Sequence, residues 1–99
     1  MVNHIVLWNF KPELTEKERE EAGKTIRKNL EAVKEQVTGV ISLAVVINEL
    51  DSSNKDLGLI SAFESVEALN AYQVHPAHVQ AGAYIKTVTC DRVCLDYEA

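Results

Sequence analysis

Two hydrophobic periods alternate along this chain, and the switches between them mark out its elements. From His4 to Phe10 the period is two: His4, Val6, Trp8 and Phe10 share one side, and Ile5, Leu7 and Asn9 the other, as on a strand that Pro12 ends. The period then lengthens. Ala22, Ile26, Leu30, Val33 and Val37 form one apolar stripe at helical spacing. Thr15 and Glu18 before it have the spacing of a capping box, predicting a helix to about Gln36 with Gly39 as its stop. Val40 to Leu50 is rich in β-branched residues and predicts a long strand; a polar turn over residues 51–55 returns it as a hairpin with Asp56 to Glu64. Ser65 caps a second helix to about Tyr72, and Pro76, preset for a first helical position, opens a third to about Tyr84 with His75 as its cap. A last strand is expected over Thr87 to Tyr97.

The order strand, helix, strand, strand, two helices, strand predicts an α+β ferredoxin-like sandwich: one four-stranded antiparallel sheet with its helices on one face. Residues 1–99 are expected to form one domain, with no repeat or linker. The strands are apolar on both sides. Ile41, Leu43, Val45 and Ile47 oppose Val40, Ala44 and Val46, while Ile60 and Ala62 oppose Leu57, Leu59 and Phe63. A sheet with one wet face alternates apolar with polar, and short helices cover only one face. The second face therefore calls for a cover, and a copy of the same sheet is the simplest one, giving a homodimer.

Charge narrows the partners. The formal net charge is −5. Residues 1–38 are balanced, whereas residues 39–99 hold only Lys55, Lys86 and Arg92 as bases, which argues against a nucleic-acid surface. No apolar run is long enough for a membrane helix, and the start Met1-Val2-Asn3-His4 lacks a signal peptide's basic region, so a cytoplasmic protein is expected. Cys90 and Cys94, four residues apart on a strand, lie roughly 13–14 Å from each other, too far for a disulfide or for chelating one zinc. Two buried, reduced, structural thiols are expected.

The candidate chemistry lies in three aromatic residues. His78 falls in the first turn of a helix, where unpaired amides and the helix dipole disfavour imidazolium and leave a neutral ring able to take a proton. Tyr72, at the preceding helix end, has a phenol to offer a carbonyl or enolate oxygen. His4 shares its strand face with Val6 and Trp8, the face assigned to the helices. A ligand pocket between helices and sheet would then take its walls from His4, Val6, Trp8, Leu57, Leu59 and Phe63, with Arg92 and Cys94 from the last strand. The residues alone favour a structural reading: His75 a cap, His78 bonded to a carbonyl, Tyr72 and His4 packed in the core, Arg92 in a rim ion pair. A metal held by His75, His78 and His4 is disfavoured, because a capping His75 turns back on its own helix.

The opening His4-Ile-Val-Leu-Trp-Asn-Phe-Lys11, the run Phe63-Glu-Ser-Val-Glu-Ala-Leu-Asn-Ala-Tyr72, the segment His75-Pro-Ala-His78 and the closing Asp96-Tyr97 together resemble the stress-responsive dimeric A/B barrel family. The resemblance spans nearly the whole chain. It implies a ferredoxin-like sandwich paired through its sheets. A plant member is a polyketide cyclase working by intramolecular aldol condensation without metal or cofactor, and its catalytic His and Tyr correspond to His78 and Tyr72, with His4 in the pocket. Leu57 stands where that enzyme has a histidine, and Thr89 roughly where it has a bulky aromatic, departures that bear on the substrate. The resemblance thus implies a homodimer with an apolar pocket for a small aromatic or polyketide-like ligand, and no cofactor or metal. The alternatives are a non-catalytic stress or assembly protein of the same fold and a cofactor-free monooxygenase-like enzyme; the His75-Pro-Ala-His78 segment argues against the latter.

Overall fold

In the computed structural model, which describes residues 1–99, the strand β1 (Val2–Phe10) is the axis of the fold. Its burial alternates strictly, Val2, His4, Val6, Trp8 and Phe10 being buried and the residues between them half-buried. The helix α1 (Glu16–Lys34) follows, then β2 (Val40–Ile47), β3 (Leu57–Phe63), α2 (Val66–Val74), α3 (Pro76–Val88) and β4 (Thr89–Glu98). All strand pairs are antiparallel and the sheet order is β2-β3-β1-β4, the ferredoxin-like arrangement. No helix is long and apolar enough to cross a membrane.

Local chemistry accounts for the helix starts. The Thr15 hydroxyl accepts from the Glu18 N–H at 3.1 Å while the Glu18 carboxylate accepts from the Thr15 N–H at 2.9 Å, a cap worth about 1 kcal/mol. His75 caps α3 through Nδ1, which accepts from the Ala77 N–H at 3.1 Å. The α1 stripe of Ala22, Ile26, Leu30 and Val33 is buried against the sheet, and each large aliphatic side chain stabilises the fold by roughly 1.5–3 kcal/mol.

Several boundaries differ from the sequence expectation, each for a local reason. Helix α1 ends at Lys34, before Gly39, which serves a later turn: its φ is +85°, and a Cβ there would approach the Ala68 Cβ to 2.6 Å. Strand β2 ends at Ile47 rather than Leu50, because the Asn48 side chain accepts from the Leu50 N–H and starts a turn. Helix α3 continues past Tyr84 to Val88, where the Thr87 and Thr89 hydroxyls donate back to the carbonyls of Tyr84 and Ile85 and hold the last turn.

Two irregularities change which side chains share a face. In β2 the pairing slips between Val40 and Ser42, so Val40 packs against the core and Ile41 turns outward, 47% exposed, instead of joining Leu43 and Val45. In β4 the extra residue is Asp91, with φ 55°. Beyond it Cys94 pairs with Val6 on the helix side, while Cys90 pairs with Asn9 on the other, so Cys90 does not share a face with Arg92 and Cys94 as strict alternation predicts. The thiols are free but not buried: Cys90 is half-buried and Cys94 exposed, because β4 is an edge strand that the helices barely reach.

The sheet face away from the helices is apolar across all four strands. One row runs Ala44, Ile60, Ile5, Leu95, and the next Val46, Gly58, Leu7, Val93. Val46, Ile60, Val93, Leu95 and Tyr97 are each at least 43% exposed in the single chain.

Candidate active site

Between the helix face of the sheet and α3 lies a cavity of about 770 Å³. The sheet contributes His4, Val6, Trp8, Leu59 and Arg92; the helices contribute Leu30, Gln73, His78, Val79, Gly82, Ala83, Ile85 and Lys86. Of the residues expected there, Leu57 and Phe63 lie in the packed core instead, Leu57 beside Trp8 in the ladder and Phe63 beneath the His4 and Tyr72 rings. Cys94 stands next to the cavity, with Sγ 3.8 Å from His4 Nδ1. Burial of its surroundings, and then the Asp96 carboxylate, hold its thiol above the ordinary pKa.

His78 is the third residue of α3. Its Nδ1 lies 3.0 Å from the Gln73 carbonyl, and a carbonyl only accepts, so Nδ1 carries the hydrogen and Nε2 keeps the lone pair. Burial lowers its pKa from the usual 6.5, and the nearby charges of His4 and Arg92 lower it further against the opposing effect of the Gln73 bond. The ring is thus a neutral base near pH 7, held so chiefly by desolvation.

Tyr72 packs against His78 at a tilt of 54°, with 4.5 Å between ring centroids, and is not itself part of the cavity lining. It is completely buried, and burial pushes its phenol up to about 12. Its hydroxyl has no hydrogen-bond partner and is the one buried side-chain polar atom in that condition. An orphaned hydroxyl costs about 1–3 kcal/mol. Tyr72→Phe is therefore expected to leave thermal stability unchanged or raise it by about 1 kcal/mol, read by thermal denaturation. A loss larger than that would mean the hydroxyl is bonded in the protein.

His4, 2% exposed, stands on the cavity floor. Its Nδ1 pairs with the Asp96 carboxylate across the β1–β4 ladder, a partner that sequence reading did not assign to the site. The Ser61 hydroxyl donates to the His4 carbonyl at 2.7 Å, fixing the backbone beneath the ring. His4, Cys94 and Asp96 are also the one group of three side chains whose ligand atoms lie close enough together, within 4.8 Å, to hold a metal ion. His75, His78 and His4 form no such group, since His75 Nδ1 is used by its cap. Asp96 was legible only as part of a terminal motif. Val79, Gly82, Ala83 and Lys86 were missed, although their spacing places them on one face of α3 with His78.

A family model described as the stress responsive A/B barrel domain matches residues 2–99. Olivetolic acid cyclase of Cannabis sativa is 30% identical over 103 residues, covering 97% of this chain and 94% of the cyclase. A dimeric ferredoxin-like protein of unknown function from Bacteroides fragilis superposes with a TM-score of 0.92 at 26% identity, over 99% of this chain and 95% of that one. Hydroxynitrile lyase of Passiflora edulis, at 16% identity, shares the fold with a TM-score of 0.78 over 97% of this chain and 90% of the lyase.

Proposed function

Because this chain belongs to the stress responsive A/B barrel domain family, we propose that it is a homodimer whose cavity takes a small aromatic or polyketide-like ligand and performs cofactor-free, aldol-type ring closure. His78 Nε2 removes a proton from the carbon next to a carbonyl, the developing enolate attacks a second carbonyl of the same molecule to form the new C–C bond, and the alkoxide left by that carbonyl takes the proton back from His78. The Tyr72 hydroxyl, buried without a partner beside that base, donates to the enolate oxygen as its charge grows. His4, held by Asp96, orients the substrate from the floor. The carrying observation is a desolvated, tautomer-fixed imidazole on the cavity wall with an orphaned phenol packed directly behind it. The similarity to a polyketide cyclase over nearly the full length supports the same reading.

The cavity is tested without knowing the substrate. Trp8, the only tryptophan, lines it and reports ligand entry by fluorescence. A Cβ added at Gly82 meets nothing within 4 Å, so a larger side chain there projects into open space. Neutral para-pentylbenzamide is expected to quench Trp8 in the parent, and Gly82→Leu to weaken that binding at least about tenfold. Helix propensity favours leucine over glycine by up to about 0.8 kcal/mol, so the variant should melt no lower than the parent. Equal binding by parent and variant would move the ligand elsewhere.

A further inference from the structure

We propose that the ligand of this cavity is an apolar molecule bearing a carboxylate, received at the cavity mouth by Arg92 and Lys86; this rests on the cavity being the binding site. The charge distribution carries the argument. The protein has a net charge of −5, and residues 39–99 contain only three bases, yet two of them line this cavity. No Asp or Glu lines it.

Neither base is spent on a structural ion pair. The two ion pairs of the fold are His4 with Asp96 and Lys24 with Glu20. The two acidic residues nearest to Arg92 along its own strand are engaged elsewhere. Asp91 is the bulge residue and takes its carboxylate to Asn9 Nδ2 at 3.3 Å, on the far face of the sheet. Asp96 is bonded to His4. The bulge thus separates Asp91 from the arginine beside it and leaves the guanidinium on the helix side.

The rest of the wall fits the other half of such a ligand. Val6, Trp8, Leu30, Leu59 and Ile85 form an apolar lining behind the two cations. A guanidinium fork matches a planar carboxylate with two parallel hydrogen bonds, and an ammonium from the last turn of α3 adds a second positive charge. Arg92 and His78 line the same cavity, so a carboxylate docked on Arg92 leaves the body of the molecule in the space that the imidazole also borders.

A matched pair of probes tests this. Para-pentylbenzoate and para-pentylbenzamide differ in charge but hardly in shape, and Trp8 fluorescence reads both at neutral pH and low ionic strength. The parent is expected to bind the benzoate at least about tenfold more tightly, about 1.4 kcal/mol. That preference should narrow as salt rises, because both cations are exposed to solvent. The double variant Arg92→Gln with Lys86→Gln should bring the two affinities together by weakening the acid alone. Equal affinities in the parent, or a preference that survives the double variant, would overturn carboxylate recognition while leaving the cavity a binding site. Failure of both probes to quench Trp8 would overturn the cavity reading and this proposal together.

Discussion

Replacing His78 with alanine is expected to lower the turnover of an aldol-type ring closure by roughly 10²–10⁴-fold, the usual worth of a positioned general base. The fold should survive. The ring makes one hydrogen bond, to the Gln73 carbonyl, and one tilted contact with Tyr72, together worth about 1–2 kcal/mol. Tyr72→Phe should lower turnover as well, since its hydrogen bond strengthens as charge develops on the substrate.

The pH dependence separates a base from a merely structural ring. Burial, aided by the His4 and Arg92 charges, holds the folded pKa of His78 below 6.5. The basic form then persists to lower pH than in a free imidazole, and the acid limb of kcat/KM falls below 6.5. Stability follows the same proton. Above 6.5 neither state protonates this group and it contributes nothing. As pH falls below 6.5 the unfolded chain binds the proton first, so the penalty on the folded state grows until its own pKa is passed and stays at its full value below that. His78→Ala should abolish that part of the acid loss in denaturation measurements. A variant that unfolds at neutral pH, or one with unchanged turnover, would return the ring to a structural role.

The second large effect concerns assembly. In sedimentation at low micromolar concentration the parent is expected at about twice 11.0 kDa. Leu95→Lys combined with Val46→Lys should give a folded monomer. Both side chains are more than half exposed in the single chain, so lysine costs that chain little. In a dimer joined through this face a twofold axis buries every introduced charge twice. At about 3 kcal/mol for each unpaired charge, even two of them weaken association by four orders of magnitude or more. A parent that sediments as a monomer, or a charged variant that still dimerises, would remove the sheet-to-sheet interface.

Element types and helix starts were written locally. The Thr15–Glu18 box, the cap of His75 before Pro76 and the Ile26, Leu30, Val33 stripe each depend on residues within a turn or two, and each is present in the fold. The ferredoxin-like order follows from the succession of periods, and the apolar character of both sheet faces from the composition of the strands. Part of the candidate site was legible for the same reason: period two places His4, Val6 and Trp8 on one face, and Pro76 fixes where His78 falls on its helix.

Only tertiary structure decided the rest. The slips at Ile41 and Asp91 arise from how a strand registers against its neighbour, and no count along one strand contains that information. They turned Ile41 outward and put Cys90 and Cys94 on opposite faces. The pairing of His4 with Asp96 joins residues 92 apart through the β1–β4 ladder. The cavity depends on how far α3 stands from the sheet, which leaves Gly82 facing open space and lets Lys86 and Arg92 line the same cavity. Sequence periodicity orients a side chain relative to its own element. What that side chain meets is set by the packing of elements far apart in the chain, and burial, tautomer and charge environment at His78 and Tyr72 follow from that packing.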